Sequence, residues 1–477
     1  MQISPMMRQY MEIKDQHKDR VLFFRLGDFY EMFFDDALLV SKELELTLTG
    51  KNYGQAERAP MCGVPFHSAD GYIAKLVEKG YQVAICEQTE DPALAKGLVK
   101  REVVRIVTPG TLLNQSMLNE RENNYLASVF DAGHEIGFAY CDVSTGELYA
   151  TGIDAARAEE TLANELSKIN AREVITNEGA REIEIGALYT HALGKQYHNP
   201  KTAEETVLRQ LSGTLTSLGL DGKEAALLAL GALLLYLFDT QKQSLSHISR
   251  LNYYEIRNHM ALDKATIKNL ELTETLFEKR LQGSLLGVLD RTHTAMGARK
   301  MKQWIREPLN QTGPINERLS AVETLSDEPL LRNDLKENLK RIYDLERLSG
   351  RIACGSANAK DLLALKQSVF ALPRVKEDLR GCGDALLEEL GARIGAFDEI
   401  RDLIEKAILD DAPFTVKEGG LIKKAYSAEL DEIKDSIKDG QAWIAGLERA
   451  ERERTGIKNL KVGFNRVFGY YIEITKS

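Results

Sequence analysis

The sequence predicts a multidomain chain that is mixed α/β in its N-terminal half and all-α beyond it. Three observations carry this. The 477 residues exceed what one hydrophobic core organises, so three or four domains are expected. With 43% hydrophobic and 28% charged residues, the composition is that of a globular protein. Up to about residue 245, short β-branched runs alternate with amphipathic stretches. Beyond it, apolar residues recur at helical spacing with short joints.

The first region begins with a helix carrying Met6, Tyr10 and Ile13, then the apolar run Val21-Leu22-Phe23-Phe24, which reads as a strand. At Gly27 the strand runs into a cluster of aromatics, read as a strand-to-helix junction before a helix over Ala37 to Leu46. A polar loop, Lys51 to Ala59, contains the turn formers Asn52 and Gly54. Tyr72 to Lys79 suits a helix stopped by Gly80, and Gln82–Glu87 and Val103–Val107 read as strands. The linker Thr108-Pro109-Gly110-Thr111 closes this region.

In the second region, from about Asn123 to Ser244, Ile136, Phe138 and Tyr140 alternate up to the turn Ser144-Thr145-Gly146, and Leu148-Tyr149 return as a hairpin. Helices and short strands follow, which predicts an α/β layer. His247 to Pro413 is a series of amphipathic helices. The last region opens with a long periodic helix whose seam is Tyr426, Leu430, Ile433, Ile437, Ile444 and Leu447, interrupted at Gly440. After Gly456, Leu460–Val462 and Tyr470–Thr475 read as strands around a turn. The pattern stops without a cap, so a fragment of a longer protein is expected.

Several classes are excluded. Lys14, Asp15, Lys18 and Asp19 break any apolar core near the N-terminus, which argues against a signal peptide. The most apolar run, Ala225 to Phe238, falls short of the roughly 18 residues of a membrane span and predicts a buried helix. A cytoplasmic location is expected. Cys62, Cys86, Cys141, Cys354 and Cys382 lie far apart and form no metal-binding spacing, so idle thiols are expected and neither zinc nor a disulfide framework. The net charge of -10 opposes nonspecific attraction to nucleic acid, so any DNA contact must rest on local sites.

No catalytic motif stands out. Gly50-Lys51 is followed by Asn52 and fails the phosphate-loop pattern, and Gly381-Cys382-Gly383 lacks a preceding strand. The eight histidines form neither a zinc-protease nor a hydrolase motif. Asp142 ends an apolar strand, as the first carboxylate of a two-metal nuclease does, but Glu147 and Glu173 look like surface positions rather than companions. A turn-stabilising aspartate is the plainer expectation.

The most informative stretch is Leu26-Gly27-Asp28-Phe29-Tyr30-Glu31-Met32-Phe33-Phe34. Five aromatics between Phe24 and Phe34 exceed what one core face buries, so one of them is expected at the surface. An exposed Phe at a rigid turn suits a wedge between base steps from the minor groove. Simple core packing is the competing reading. A nearby carboxylate repels phosphates, which weakens binding to ordinary duplex and leaves an acceptor for an unstacked base edge.

Gly27-Asp28-Phe29-Tyr30-Glu31 resembles the Phe-x-Glu motif of the MutS family of mismatch repair proteins. The resemblance extends to Pro60–His67, Val83–Gln88 and Arg101–Thr111, then to Leu262-Asp263, Asn269–Leu272 and Gly283–Leu309, and finally to Thr455–Lys458, Val462–Asn465 and Gly469–Ile472. It implies a mismatch-binding domain over 1–112, an RNase H-like connector over 121–245, a helical core and lever over 246–430, and a lever arm leading into a β clamp over 431–477. It also implies a homodimer that kinks DNA at mispairs or small loops, with Phe29 stacking on the mispaired base and Glu31 hydrogen-bonding to it. Bending selects mispaired sites because they deform cheaply. Met61 matches a position lining the minor groove, and Lys461, Asn465 and Lys476 are candidates for phosphate contact. Members of the family end in an ATPase domain that uses ATP and Mg2+, and they hand over to a MutL-type partner. That domain is expected to be missing here, so this chain is expected to be no enzyme. A helical scaffold that binds only proteins and an RNase H-like nuclease are the alternatives.

Overall fold

Val21–Leu26 (β1) and Phe29–Phe33 (β2) are apolar runs that leave only Gly27 and Asp28 between them, and they pair antiparallel as a tight hairpin. The sequence reading of a strand-to-helix junction is therefore corrected: the chain first turns into a second strand, and the helix Phe34–Leu44 starts only afterwards. An apolar run of this length cannot by itself distinguish a strand from the first turn of a helix. The structure, a computed structural model, describes residues 3–52, 58–90, 97–181, 189–465 and 469–474. These fall into two compact units, 1–357 with 367–396 and 358–366 with 397–477.

In the first unit, β1 and β2 join Thr49–Lys51 (β3), Ala59–Pro65 (β4), Val83–Gln88 (β5) and Arg101–Val107 (β6) in one sheet of order β3-β4-β2-β1-β5-β6. Only β1 and β5 are parallel, bridged by the helices Phe34–Leu44 and Ala69–Glu78. Those helices bury one face through Val40, Ile73 and Leu76, while Pro5–Gln16 covers the other through Met7 and Tyr10. The predicted loop after Lys51 lies partly outside the described residues, and Lys51 itself ends β3.

The second sheet has the order β11-β10-β7-β8-β9-β12, from Leu126–Asp131 (β7), Glu135–Asp142 (β8), Glu147–Asp154 (β9), Glu173–Asn177 (β10), Tyr189–Leu193 (β11) and Leu251–Tyr253 (β12). An antiparallel meander, β7 to β9, with β10 and β11 added in parallel is the RNase H-like arrangement that the resemblance implied. The apolar run became the helix Glu224–Gln241, long and apolar enough to cross a bilayer but packed on this sheet. Its close approach needs Gly137, where a Cβ would lie 1.8 Å from the Ala225 carbonyl oxygen.

One buried carboxylate ties the two sheets together. Glu173 is completely buried and accepts from the Thr108 hydroxyl at 2.5 Å, the Gly110 N–H at 2.9 Å and the Tyr236 hydroxyl at 2.6 Å. Gln82 in turn donates to the Tyr236 oxygen and accepts from Arg20. Burial pushes the Glu173 carboxyl up, and these donors oppose it. Reading Glu173 as a surface position was wrong because its partners lie far from it in sequence.

Helices follow, as expected, from Leu285 to Ala353 and again at Ala385–Arg393 within this unit. Arg347, 2% exposed, donates to the carbonyls of Asn119 and Glu122 and to Ser144 Oγ, and Arg299 pairs with Asp344 and Glu346. In the second unit the long helix runs Ala428–Thr455, capped by Ser427 and ended by Gly456 in the left-handed region. Gly440 does not break it, since one glycine costs a helix only about 1 kcal/mol. Tyr426 precedes the helix. Lys461–Asn465 (β13) and Gly469–Glu473 (β14) then form an antiparallel hairpin.

Candidate nucleic-acid interface

The apex of the first hairpin is locked. Gly27 has φ +59° and Asp28 does not share the positive φ, the pattern of a type II′ turn with glycine at its first central position. Arg25 folds over the turn, donating from Nε to the Gly27 carbonyl at 2.5 Å. Its guanidinium carbon lies 3.6 Å from the centre of the Phe66 ring, and it pairs with Glu87. The Tyr30 hydroxyl donates to the same Glu87, and the Phe66 N–H donates to the Asp28 carbonyl at 3.0 Å. On this rigid apex Phe29 is 47% exposed, while Phe24, Tyr30 and Phe33 are buried.

Strand alternation places Phe29, Glu31 and Phe33 on one face of β2, with Tyr30 and Met32 in the core behind. Opposite Glu31 on β4 stands Gly63, and opposite Phe33 stands Met61. Met61 is half-buried, and its carbonyl accepts from Thr49. The Glu31 carboxylate is not bare, as the sequence reading assumed. Lys51 reaches it with a 2.5 Å ion pair, its Nζ passing 5.6 Å from the Phe33 ring centre. Sequence reasoning missed Lys51, because its contact depends on a strand register that the loop residues do not reveal.

The other sequence-predicted residues belong to the second unit. Lys461 opens β13 exposed, opposite Glu473, and Asn465 closes the same strand opposite Gly469. The hairpin root is tied to the long helix: Arg452 donates to the Leu460 carbonyl, and Glu448 accepts from the Val462 N–H. Lys476 lies outside the described residues.

Asp142 does not offer a metal site. It is buried, and its two oxygens accept from Asn123 Nδ2, the Asn124 N–H, the Ser144 N–H and the Ser144 hydroxyl, which fix the β8–β9 turn. Glu147 is part-buried beside it and takes donors from Asn123 and Tyr125, so it too was misread as a surface position. Burial, then the charges of Glu346 and Asp142, push its carboxyl up to about 7. Among the described residues no group of three or more His, Cys, Asp or Glu could hold a metal ion. Four of the five cysteines are buried, and burial pushes the Cys62 thiol up to about 11.

Three family models match in chain order: MutS domain I over residues 4–116, MutS domain II over 124–249 and MutS domain III over 265–455. The chain belongs to the MutS family. A MutS relative named DNA mismatch repair protein MutS, from Alkaliphilus oremlandii, is 51% identical across the whole chain and 55% of its own length. Proteins of the same name from Halothermothrix orenii and Listeria monocytogenes are 49% and 48% identical over at least 99% of the chain and 54% of their own lengths. The chain thus spans about half the length of the MutS relatives it matches. The MutS domain I match contains the hairpin, Lys51 and Met61.

Proposed function

We propose that this chain binds duplex DNA and recognises mispaired bases and small insertion loops, the first step of mismatch repair. The observation that carries the reading is the half-exposed Phe29 ring on a hairpin apex fixed by Arg25, Glu87 and Phe66. A flat ring on a rigid support enters a base step without losing much freedom of its own, and a mispaired step opens at least cost. Glu31, two residues along the same face, accepts a hydrogen bond from the displaced base. Met61 borders the groove on β4, and Lys461, Asn465 and Lys476 add phosphate contacts that position without specifying.

The names of the relatives and the match to MutS domain I support this reading. With it come the family's wider properties as proposals for the whole protein: a homodimer in the bacterial cytoplasm, ATP hydrolysis with Mg2+ outside the residues described here, and transfer to a MutL-type partner. The domain limits 1–112, 121–245, 246–430 and 431–477 are proposed on the same ground.

The test is a titration of this chain and its Phe29→Ala variant against G·T-mispaired and matched duplexes at fixed moderate salt. A preference for the mispair that vanishes in the variant is expected. Equal affinity of the wild-type chain for both duplexes, or a preference that survives Phe29→Ala, overturns the assignment in favour of a protein-binding scaffold or a different wedge.

A further inference from the structure

Lys51 and Glu31 are not neighbours in the sheet. Glu31 is on β2 and Lys51 on β3, with β4 between them. Strands two apart lie about 9–10 Å from each other, so the lysine must extend across β4 to close its ion pair. It also leans along the strand, because Lys51 lies opposite Ala59 on β4 whereas Glu31 lies opposite Gly63. Gly63, the β4 residue opposite Glu31, has no side chain, and a Cβ there would sit 3.2 Å from the Tyr30 carbonyl oxygen and 3.5 Å from Glu31 Cγ.

The pair is a poor device for stability. The Lys51 side chain is 32% exposed and that of Glu31 17%, and a part-exposed pair that orders a long side chain returns little free energy. Its electrostatic effect is larger. Without Lys51, a carboxylate beside the Phe29 wedge would face the phosphates of any duplex. Among the described residues Glu31 has no other cationic partner and Lys51 no other carboxylate.

We propose that Lys51 determines specificity at this site by exchange. In the free chain and on matched DNA it holds the Glu31 carboxylate; when a displaced base takes that carboxylate, Lys51 is released to a DNA phosphate. This rests on the mismatch reading above and adds a second energetic difference between the two kinds of DNA. The phosphate contact forms only where a base has left the stack. Lysine suits the task because its ammonium is a compact charge on a flexible stem, with no fixed fork to realign.

The experiment measures affinity against salt concentration for the wild-type chain, Lys51→Met, Lys51→Arg, Glu31→Gln, the Lys51→Met/Glu31→Gln double variant and Phe29→Ala, each on mispaired and matched duplex. One phosphate contact contributes about 0.9 to the slope of log affinity against log salt. Lys51→Met is expected to lower that slope by about this amount on mispaired DNA and to leave it unchanged on matched DNA. It is also expected to weaken matched binding roughly three- to fivefold by baring Glu31, with recovery in the double variant. Lys51→Arg keeps the charge and is expected to keep the mispair slope. Methionine retains the stem over Phe33, and an unchanged unfolding midpoint certifies the fold; Lys51→Gln substitutes if it does not. Equal slopes in wild type and Lys51→Met on mispaired DNA, or additive effects of the two substitutions, overturn the exchange while a Phe29-dependent preference survives. Absence of a Phe29-dependent preference, or of any binding by the wild-type chain, overturns the mismatch reading and the exchange together.

Discussion

Phe29 and Phe33 share one face of one strand and have opposite fates. Phe33, 1% exposed, packs edge-on against Tyr10, whereas Phe29 keeps nearly half its surface in water. Truncating a buried Phe costs about 3–5 kcal/mol. Phe33→Ala should therefore depress the unfolding free energy by that order, while Phe29→Ala should change it by less than about 1 kcal/mol, as measured in denaturant. A large loss for Phe29→Ala would mean that the ring supports the fold rather than serving a ligand. Glu147 makes a second residue-scale case. Its carboxyl is raised to about 7 when folded, so the folded state holds the proton more tightly than the unfolded chain. Stability is then greatest below the unfolded value and falls as pH rises from the usual carboxylate range through 7. Glu147→Gln should remove this decline and gain about 1–2 kcal/mol at pH 8 relative to pH 5, read from midpoints at the two pH values. An unchanged difference between the two pH values would remove Glu147 from the account. The exposure of one ring among five aromatics was legible in the sequence, because core capacity can be counted. The environments of Glu147 and Glu173 were not, since nothing local to a glutamate announces donors supplied by Tyr125, Gly110 or Tyr236.

At the scale of elements, glycines mark where the fold permits no alternative. Gly27→Ala meets no neighbouring atom but must hold φ +59°, so its cost is purely conformational, about 1 kcal/mol. Gly137→Ala has an ordinary backbone but drives a methyl into the helix Glu224–Gln241 at Ala225. It should cost about 3 kcal/mol or more, or force the helix off the sheet. Comparing the two variants by thermal unfolding separates strain from collision; equal losses would show that one account is wrong. The helices and the two sheets were largely readable, because periodicity survives in long segments such as Ala428–Thr455. The hairpin at Gly27 was misread as a helix junction because β2 is only five residues long and its aromatics fit either period. Lys51 stayed hidden for a related reason: its partner is set by the register of β3 on β4, which no sequence window contains.

Across the first unit, Arg347 is one of several ties, with Arg299 and Lys302, between the helical part and the segment leading into the second sheet. Its guanidinium satisfies two carbonyls and a hydroxyl, with no carboxylate among the described residues in hydrogen-bond contact. Arg347→Met should leave the Asn119 and Glu122 carbonyls without this donor and cost about 2–4 kcal/mol. Hydrogen exchange should then show the helices from Leu285 onward opening before the second sheet; uniform opening would argue against this role. The whole-chain charge of -10 agrees with this local economy, since attraction to DNA must come from particular residues rather than from the protein's average field.

The buried carboxylate between the sheets has a consequence for how such sequences can change through descent. Thr108, Gly110, Glu173 and Tyr236 come from three distant segments, yet each donor answers the same two oxygens. A Cβ at position 110 would lie 2.9 Å from Glu173, and a lost hydroxyl would leave a carboxylate in the core short of a donor. A single substitution that removes either hydroxyl or adds a Cβ at position 110 leaves the group short of a donor or crowded. Lineages should therefore replace these four positions together or keep them all, and aligned relatives in which they vary independently would contradict this.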